Sequence, residues 1–181
     1  MVLRSLMKAR YDVENLGHFG LAAKFYCHFT SPIRRYPDTS IHRILSDLVA
    51  GADQTSLKRR YGEFTSLAAA QSSQTEVRAV TGERSAEDCY IAEYMKAHLG
   101  ERHTGIISGV TPKGIFVKLE NNAEGFVSLN EFENREFEYD GEVSHRDLRS
   151  GRVLMMGEEI GIIVAAADVA TGRVDFVPQE P

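Results

Sequence analysis

The sequence predicts an α+β chain in which a strand-and-helix part precedes a small antiparallel barrel. Residues 56–99 lack proline and are rich in Ala, Gln, Glu and Arg, which favours helix. From residue 104 onward, short apolar runs alternate with turn formers, which is typical of strands. Gly100 lies where one pattern replaces the other. The predicted domains are therefore residues 1–100 and residues 101–181.

The first half predicts an opening helix, a strand and two further helical regions. Residues 24–30 place Phe25, Cys27 and Phe29 on one side of the chain, which is strand periodicity. After a Ser-Pro interruption, Asp38 is placed to cap a helix that runs up to residue 51. Residues 56–99 predict one or two long helices, with Gly82 as the weak point, because glycine costs ~1 kcal/mol in a helix interior.

The second half predicts a closed barrel of five short strands, the oligonucleotide-binding (OB) type of fold. The polar, acidic stretch 130–152 predicts a long loop between the third and fourth strands. The five strand-like segments are residues 104–111, 114–119, 124–129, 159–166 and 173–177.

Charge and composition limit the classes of function. The net charge of −5 argues against binding nucleic acid by bulk electrostatics. Residues 1–100 carry 13 Lys and Arg against 11 Asp and Glu, whereas residues 101–181 carry 8 against 15. No apolar run is long enough to cross a bilayer, and two cysteines are typical of a reduced cytosolic protein, so we expect a cytoplasmic location without a membrane partner.

One segment of the first half has the character of a phosphate site. Residues 28–38 read His-Phe-Thr-Ser-Pro-Ile-Arg-Arg-Tyr-Pro-Asp, so two guanidinium groups and the amides of a helix start meet after a Ser-Pro turn. With residues 17–22 and 41–43, this segment closely resembles the last signature block of the RNB catalytic domain of ribonuclease R and ribonuclease II. The resemblance implies that Arg34 faces the scissile phosphate and that Ser31, Arg35 and Tyr36 contact RNA, with Arg35 also steadying the loop. The alternative is that Arg34 and Arg35 are a solvated surface pair.

A second match covers residues 76–84, Glu-Val-Arg-Ala-Val-Thr-Gly-Glu-Arg. In the family this helix reads roughly E-R-R-A-x-x-A-E-R, and the resemblance implies that Glu83 faces the end of the RNA channel as a further catalytic-site residue. Val77 and Gly82 depart from that pattern. The alternative for Glu83 is a surface carboxylate that pairs along the helix.

A third match, over residues 105–111, 114–117 and 124–127, resembles an S1 RNA-binding domain. It implies that Lys113, Phe116 and Phe126 contact RNA, although Lys113 and Ser128 replace an aromatic and a histidine of the family pattern. For Phe116 two alternatives stay open, base stacking and a place in the barrel core.

Taken together, the resemblance implies the C-terminal portion of a processive 3′-to-5′ exoribonuclease that hydrolyses single-stranded RNA to 5′-mononucleotides. In this family Mg²⁺ is held by an upstream aspartate cluster, and no such cluster occurs here, so we expect a piece that is inactive without the missing N-terminal part of the same enzyme. His28, His42 and Asp38 lack compact metal-ligand spacing. The alternative function is a non-catalytic RNA-binding module in which the barrel acts alone.

Overall fold

The protein is described by a computed structural model over residues 10–133 and 135–179. It divides between Thr81 and Gly82 into two compact units. Of the expected opening helix, residues 1–9 lie outside the described residues. From residue 10 to residue 23 the 3-10 turn Phe19–Leu21 is the one helical element. The boundary expected at Gly100 separates two types of domain, whereas the division at Thr81 and Gly82 follows compactness and does not test it. The boundary at Gly100 therefore stays a prediction.

In the first unit, the strand predicted over residues 24–30 is absent. This stretch is irregular, and the chain before it forms only a short 3-10 turn, Phe19–Leu21, flanked by a single bridge between His18 and Ala23. The alternating side chains Phe25 and Phe29 are both exposed. A strand needs a neighbour that accepts and donates its backbone hydrogen bonds, and none in the described part of the chain pairs with this segment. The prediction of a strand here was wrong.

Helix α1 spans Tyr36–Val49 and begins two residues before the expected cap. Pro37 lies in its first turn, where the missing N–H removes no helical hydrogen bond. Asp38 therefore lies inside the helix, and the prediction that it caps the N-terminus was wrong. Gly51, at φ 98°, adopts the left-handed conformation that follows the end of the helix.

Helix α2 is one continuous helix over Gln54–Lys96. The carboxylate of Asp53 caps it by accepting the N–H groups of Thr55 at 2.9 Å and Ser56 at 3.0 Å. Asp47 of α1 accepts hydrogen bonds at 2.7 Å from both Arg60 and Tyr61 of α2, which joins the two helices. Residues 74–88 of α2 are exposed without interruption, and the helix continues through Gly82. The second unit begins within this helix.

The predicted five-stranded barrel is confirmed. The barrel strands are β1 Arg102–Thr111, β2 Gly114–Leu119, β3 Glu124–Ser128, β7 Glu159–Asp168 and β8 Arg173–Pro178. They run in the closed order β1-β2-β3-β8-β7, and all neighbours are antiparallel except β3 and β8. The inward-facing side chains of alternate positions, among them Ile107, Ile115, Val127 and Phe176, are almost completely buried.

The prediction of a long loop over residues 130–152 is also wrong. After a 3-10 turn at Leu129–Glu131, the chain forms a second sheet of three antiparallel strands, β4 Phe137–Tyr139, β5 Ser144–Asp147 and β6 Val153–Met155. Because this stretch is rich in Asp and Glu, its sequence did not show the apolar alternation by which strands were predicted. Phe132 and Leu154 are buried, and they join the apolar core of the unit. These buried side chains anchor the segment despite its acidic composition.

A buried histidine ties this second sheet to the barrel. His145 of β5 is completely buried, and its Nε2 lies 2.7 Å from the carbonyl oxygen of Thr111 in β1. Phe137 and Tyr139 pack against the imidazole ring.

Within residues 10–133 and 135–179, no helix is both long and apolar enough to cross a membrane.

Candidate nucleic-acid interface

The Ser-Pro-Ile-Arg-Arg turn that precedes α1 is closed by its own hydrogen bonds. The carbonyl oxygen of Ser31 accepts the N–H groups of Arg34 at 3.3 Å and Arg35 at 3.0 Å. The N–H of Ser31 donates to Oδ2 of Asp38 at 2.8 Å. These three amides, expected to help bind a phosphate, are therefore used inside the turn. The groups left to meet a phosphate at this turn are mainly side chains.

Arg35 and Asp38 form a buried ion pair beneath this turn. Nη2 of Arg35 lies 2.9 Å from Oδ2 of Asp38, whose side chain is 0% exposed. Burial raises the pKa of the Asp38 carboxyl, but the hydrogen bond from Ser31 and the hydrogen bond and charge of Arg35 outweigh it, so the pKa is lowered. Arg35 thus has a loop-steadying contact in the structure, and its contact with RNA stays a prediction.

Arg34 has the opposite environment. Its side chain is exposed, and within the described residues no carboxylate forms an ion pair with it. A guanidinium that is held on a closed turn and has no partner carboxylate is suited to bind a phosphate with two parallel hydrogen bonds. The structure therefore leaves Arg34 available for the role that the family resemblance implies.

Tyr11 is a neighbour that the sequence did not point to. Burial, Glu76 and Asp38 raise the pKa of its phenol above the usual value, against the opposing charges of Arg35 and Arg34. Its hydroxyl lies 3.1 Å from Nδ1 of His28. No local pattern links residues so far apart along the chain, so sequence periodicity had no means of finding this contact.

Tyr36, the third predicted RNA contact of this segment, lines an open cleft of about 420 Å³. Its ring is half exposed and meets Phe64 edge to face, with 6.3 Å between the ring centroids. An aromatic ring in such a cleft can pack against a base or an apolar side chain. The other lining residues come from α2, namely Leu67, Ala68, Gln71, Ser72 and Thr75.

Glu83 lies on the exposed stretch of α2, directly after Gly82 and within the second unit. Its side chain is open to solvent, and no ion pair of the described residues includes it. The alternative that Glu83 pairs along the helix therefore finds no support among these contacts. Its place near an RNA channel stays a prediction.

On the barrel, Phe116 and Phe126 form an outward-facing aromatic pair. They are direct partners in the β2–β3 register, with 5.2 Å between ring centroids and 57° between ring planes. Phe116 is 37% exposed and lies outside the barrel core. Of the two alternatives for Phe116, the core position is therefore wrong. Stacking on a base stays a prediction, for which this geometry is suitable.

Lys113 and Ser128 occupy the positions at which the chain departs from the S1 pattern. Lys113 is exposed in the β1–β2 turn. The hydroxyl oxygen of Ser128 accepts the N–H of Asn130 at 3.3 Å and so begins the 3-10 turn after β3. Lys113 is thus free to approach a phosphate, whereas Ser128 has a local structural contact.

The described residues do not form a metal site. Over 10–133 and 135–179, no three His, Cys, Asp or Glu side chains come together as metal ligands would. The carboxylates of the described residues are therefore not arranged as ligands of a catalytic Mg²⁺.

Two family models match this chain. The RNB domain matches residues 1–51, and the S1 RNA binding domain matches residues 96–177. The fold and the matches define a chain in which the end of an RNB domain precedes an S1 barrel. The chain is thus similar in its first part to the RNB domain and in its second part to the S1 domain, and its relatives among curated proteins are ribonucleases R.

Curated relatives match nearly the whole chain. Ribonuclease R 1 of Lactococcus lactis is 42% identical over 177 residues, covering 97% of this chain and 22% of the relative. Ribonuclease R of Aquifex aeolicus is 39% identical over 179 residues, covering 97% of this chain and 25% of the relative. The chain thus spans about a quarter of the length of these relatives.

The fold also matches a solved structure, that of Mycoplasma genitalium RNase R in complex with ribose methylated single-stranded RNA. The TM-score is 0.89 at 26% identity, and the match covers 98% of this chain and 28% of the other.

Proposed function

We propose that this chain is the C-terminal part of a processive 3′-to-5′ exoribonuclease that hydrolyses single-stranded RNA to 5′-mononucleotides. The observation that carries the proposal is the exposed guanidinium of Arg34, held on a turn that Ser31, Arg35 and Asp38 close from within. The match of residues 1–51 to the RNB domain and the order of this segment before an S1 barrel support it. So does the relative from Mycoplasma genitalium, which was solved with single-stranded RNA.

In this proposal each predicted residue has a separate task. Arg34 binds the scissile phosphate and stabilises the negative charge that develops on it during hydrolysis. Glu83 lies towards the end of the RNA channel. Lys113, Phe116 and Phe126 guide the incoming strand, since aromatic faces stack on any base. The turn at which the RNA strand ends is formed by Ser31, Arg35 and Tyr36.

The cofactor of the intact enzyme is proposed to be Mg²⁺, with ligands from polypeptide outside this chain. The described side chains do not fit the ion, so the chemistry assigned to this chain is limited to binding and to stabilising charge. The missing N-terminal part of the same enzyme is thus its proposed partner. We also propose a cytoplasmic location, which the two free cysteines, Cys27 and Cys89, support.

A chimera tests the enzymatic proposal. This chain would replace the matching C-terminal segment of Lactococcus lactis ribonuclease R 1, with which it shares 42% identity. The chimera should release 5′-mononucleotides from labelled single-stranded RNA in the presence of Mg²⁺. Arg34→Ala should lower kcat at least ~100-fold, as expected for the loss of one charge-stabilising group. A matched control, Arg59→Ala at an exposed position of α2 outside the segments that match the two family models, should retain activity.

The isolated chain tests the other half of the proposal. Purified 1–181 with single-stranded RNA and Mg²⁺ should release no mononucleotides. Appreciable release would show that the chain holds a metal site of its own and would contradict the placement of the ligands elsewhere.

The second candidate function is a non-catalytic module that binds single-stranded RNA. The observation that favours it is that the barrel is closed and has its own exposed aromatic pair. The chimera discriminates between the two, because a binding module would restore affinity for RNA but give no Arg34-dependent release of mononucleotides.

A further inference from the structure

The turn between β5 and β6 carries exposed arginines and is closed by its own hydrogen bonds. Asp147 is 1% exposed, and its carboxylate accepts the N–H of Arg149 at 3.0 Å and the hydroxyl of Ser150. Its backbone N–H donates to the carbonyl of Arg152 at 2.8 Å, and its carbonyl accepts the N–H of Gly151 at 2.9 Å. The turn is therefore organised around one buried carboxylate, while the side chains of Arg149 and Arg152 face solvent.

This turn lies at the same end of the barrel as Lys113. Along β1, Ile107 hydrogen-bonds to residues just after β6, and Thr111, further along, bonds to His145 in the middle of β5. β5 therefore advances in the direction of β1, and the turn that follows it reaches past Thr111 towards the β1–β2 turn. That turn carries Lys113 and precedes the strand of Phe116.

The small sheet is polarised in charge. Residues 146–152 hold three arginines against one aspartate, and that aspartate is the buried one. The β4–β5 turn, at the opposite end of the sheet, instead has the exposed acidic residues Asp140 and Glu142. Glu138 is the direct partner of Arg146 in the β4–β5 register, and the exposed Glu136 lies beside the β5–β6 turn, because its carbonyl oxygen accepts the N–H of Leu148. Arg149 and Arg152 are therefore the arginines that the turn itself adds at the end of the barrel where Lys113 lies.

We propose that the β5–β6 turn binds the phosphate backbone of single-stranded RNA, with Arg149 and Arg152 as its principal ligands. The proposal rests on the proposed function, in that it requires the barrel to bind RNA at Phe116 and Phe126. The turn then extends the strand's path beyond the aromatic pair. Backbone contacts of this kind add affinity without base preference, which suits an enzyme that must accept every sequence.

Salt-dependent binding tests the proposal on the full chain. Affinity for a labelled oligouridylate is measured by fluorescence anisotropy between about 20 and 200 mM salt, because each phosphate contact with a single strand contributes about 0.7 to the salt slope. The Arg149→Gln/Arg152→Gln double variant should bind roughly tenfold more weakly near 0.1 M salt, with a slope smaller by about 1.4. Arg173→Gln, an exposed position at the β7–β8 turn at the other end of the barrel, is the matched control and should leave the slope unchanged.

Phe116→Ala separates this proposal from the proposed function. It should weaken binding while leaving the slope unchanged, since stacking releases no counterions. If Phe116→Ala weakens binding but the double variant keeps the wild-type slope, the proposed turn contact is wrong and RNA binding by the barrel stands. If the wild-type chain fails to bind at the lowest salt, both proposals are wrong. Melting curves of the variants that match the wild type exclude loss of fold as the cause.

Discussion

Nη2 of Arg35 lies 2.9 Å from Oδ2 of Asp38, and the same oxygen atom receives the N–H of Ser31 at 2.8 Å. One buried carboxylate therefore closes the turn that leads into α1. Because the guanidinium of Arg35 is paired with the buried carboxylate of Asp38, its neighbour Arg34 is the cation that is exposed to solvent. Two adjacent arginines thus have different surroundings, which the dipeptide itself does not reveal.

Removal of this carboxylate should destabilise the first unit. Asp38→Ala leaves a largely buried guanidinium and the Ser31 amide without a partner, and loss of one member of such a pair costs on the order of 3 kcal/mol. Urea denaturation followed by circular dichroism measures the change. The control is Asp12→Ala, whose ion pair with Arg10 is exposed and should contribute under about 1 kcal/mol. Equal effects of the two variants would contradict the importance assigned to burial.

The same carboxylate predicts a pH dependence. The pKa of Asp38 is lowered in the folded chain from the ordinary value of 3.8, so its contribution to stability is fully present above pH 3.8 and is lost as pH falls through the lower folded pKa. Asp38→Asn should therefore lose stability relative to wild type at neutral pH, and the difference should narrow below pH 3.8. Free energies of unfolding at a series of pH values test this, and a constant difference down to pH 2 would contradict it.

A glycine holds the aromatic pair of the barrel in place. A Cβ at Gly114 would collide with the carbonyl oxygen of Val127 and would lie 2.6 Å from Cζ of Phe126. Gly114→Ala should therefore displace Phe126, lower the melting temperature by several degrees and weaken RNA binding. The matched control is Gly109→Ala, where the nearest contact, Cδ2 of Phe116, is at an ordinary 3.5 Å. If both variants behave alike, close packing at Gly114 is not what positions the ring.

Gly82 should be a position at which alanine stabilises the helix. An added Cβ meets nothing within 4 Å, and residues 74–88 are exposed throughout, so helix propensity alone decides the effect. Gly82→Ala should slow amide hydrogen exchange around Glu83 by about fivefold, corresponding to ~1 kcal/mol. Gly51→Ala, at φ 98°, is the contrasting control and should be destabilising, because alanine is strained in that conformation.

The first unit should self-associate through its exposed apolar side chains. Phe19 is 92% exposed and Ile33 is fully exposed, although both are large and apolar. Sedimentation velocity should show concentration-dependent association of the chain, which Phe19→Ser/Ile33→Ser reduces. Tyr90→Ser, a 79% exposed position on α2, should leave it unchanged. A strictly monomeric wild type would contradict this prediction.

Much of the barrel was predictable from sequence, because its strands are short, alternate regularly and are joined mostly by local turns. The candidate site was predictable only in part. The residues around Arg34 were found as a motif, and the outward position of Phe116 required the register with Phe126. The contact of Tyr11 with His28 had no signal of its own in the sequence. The arginines of residues 146–152 are visible in the sequence, but not that they lie on a turn built around buried Asp147.

The sequence by itself determined helix α2, whose hydrogen bonds are local and whose cap, Asp53, directly precedes it, and the spacing of the short barrel strands, most of which are joined by local turns. Only the tertiary structure decided which alternating segments become strands. Residues 24–30 alternate but have no pairing partner among the described residues. The acidic stretch around β4 and β5 forms a sheet instead, because its apolar side chains pack in the core of the barrel unit and His145 contacts the carbonyl oxygen of Thr111. A strand or a buried polar contact is stabilised by groups distant along the chain, and local sequence does not specify where those groups will be.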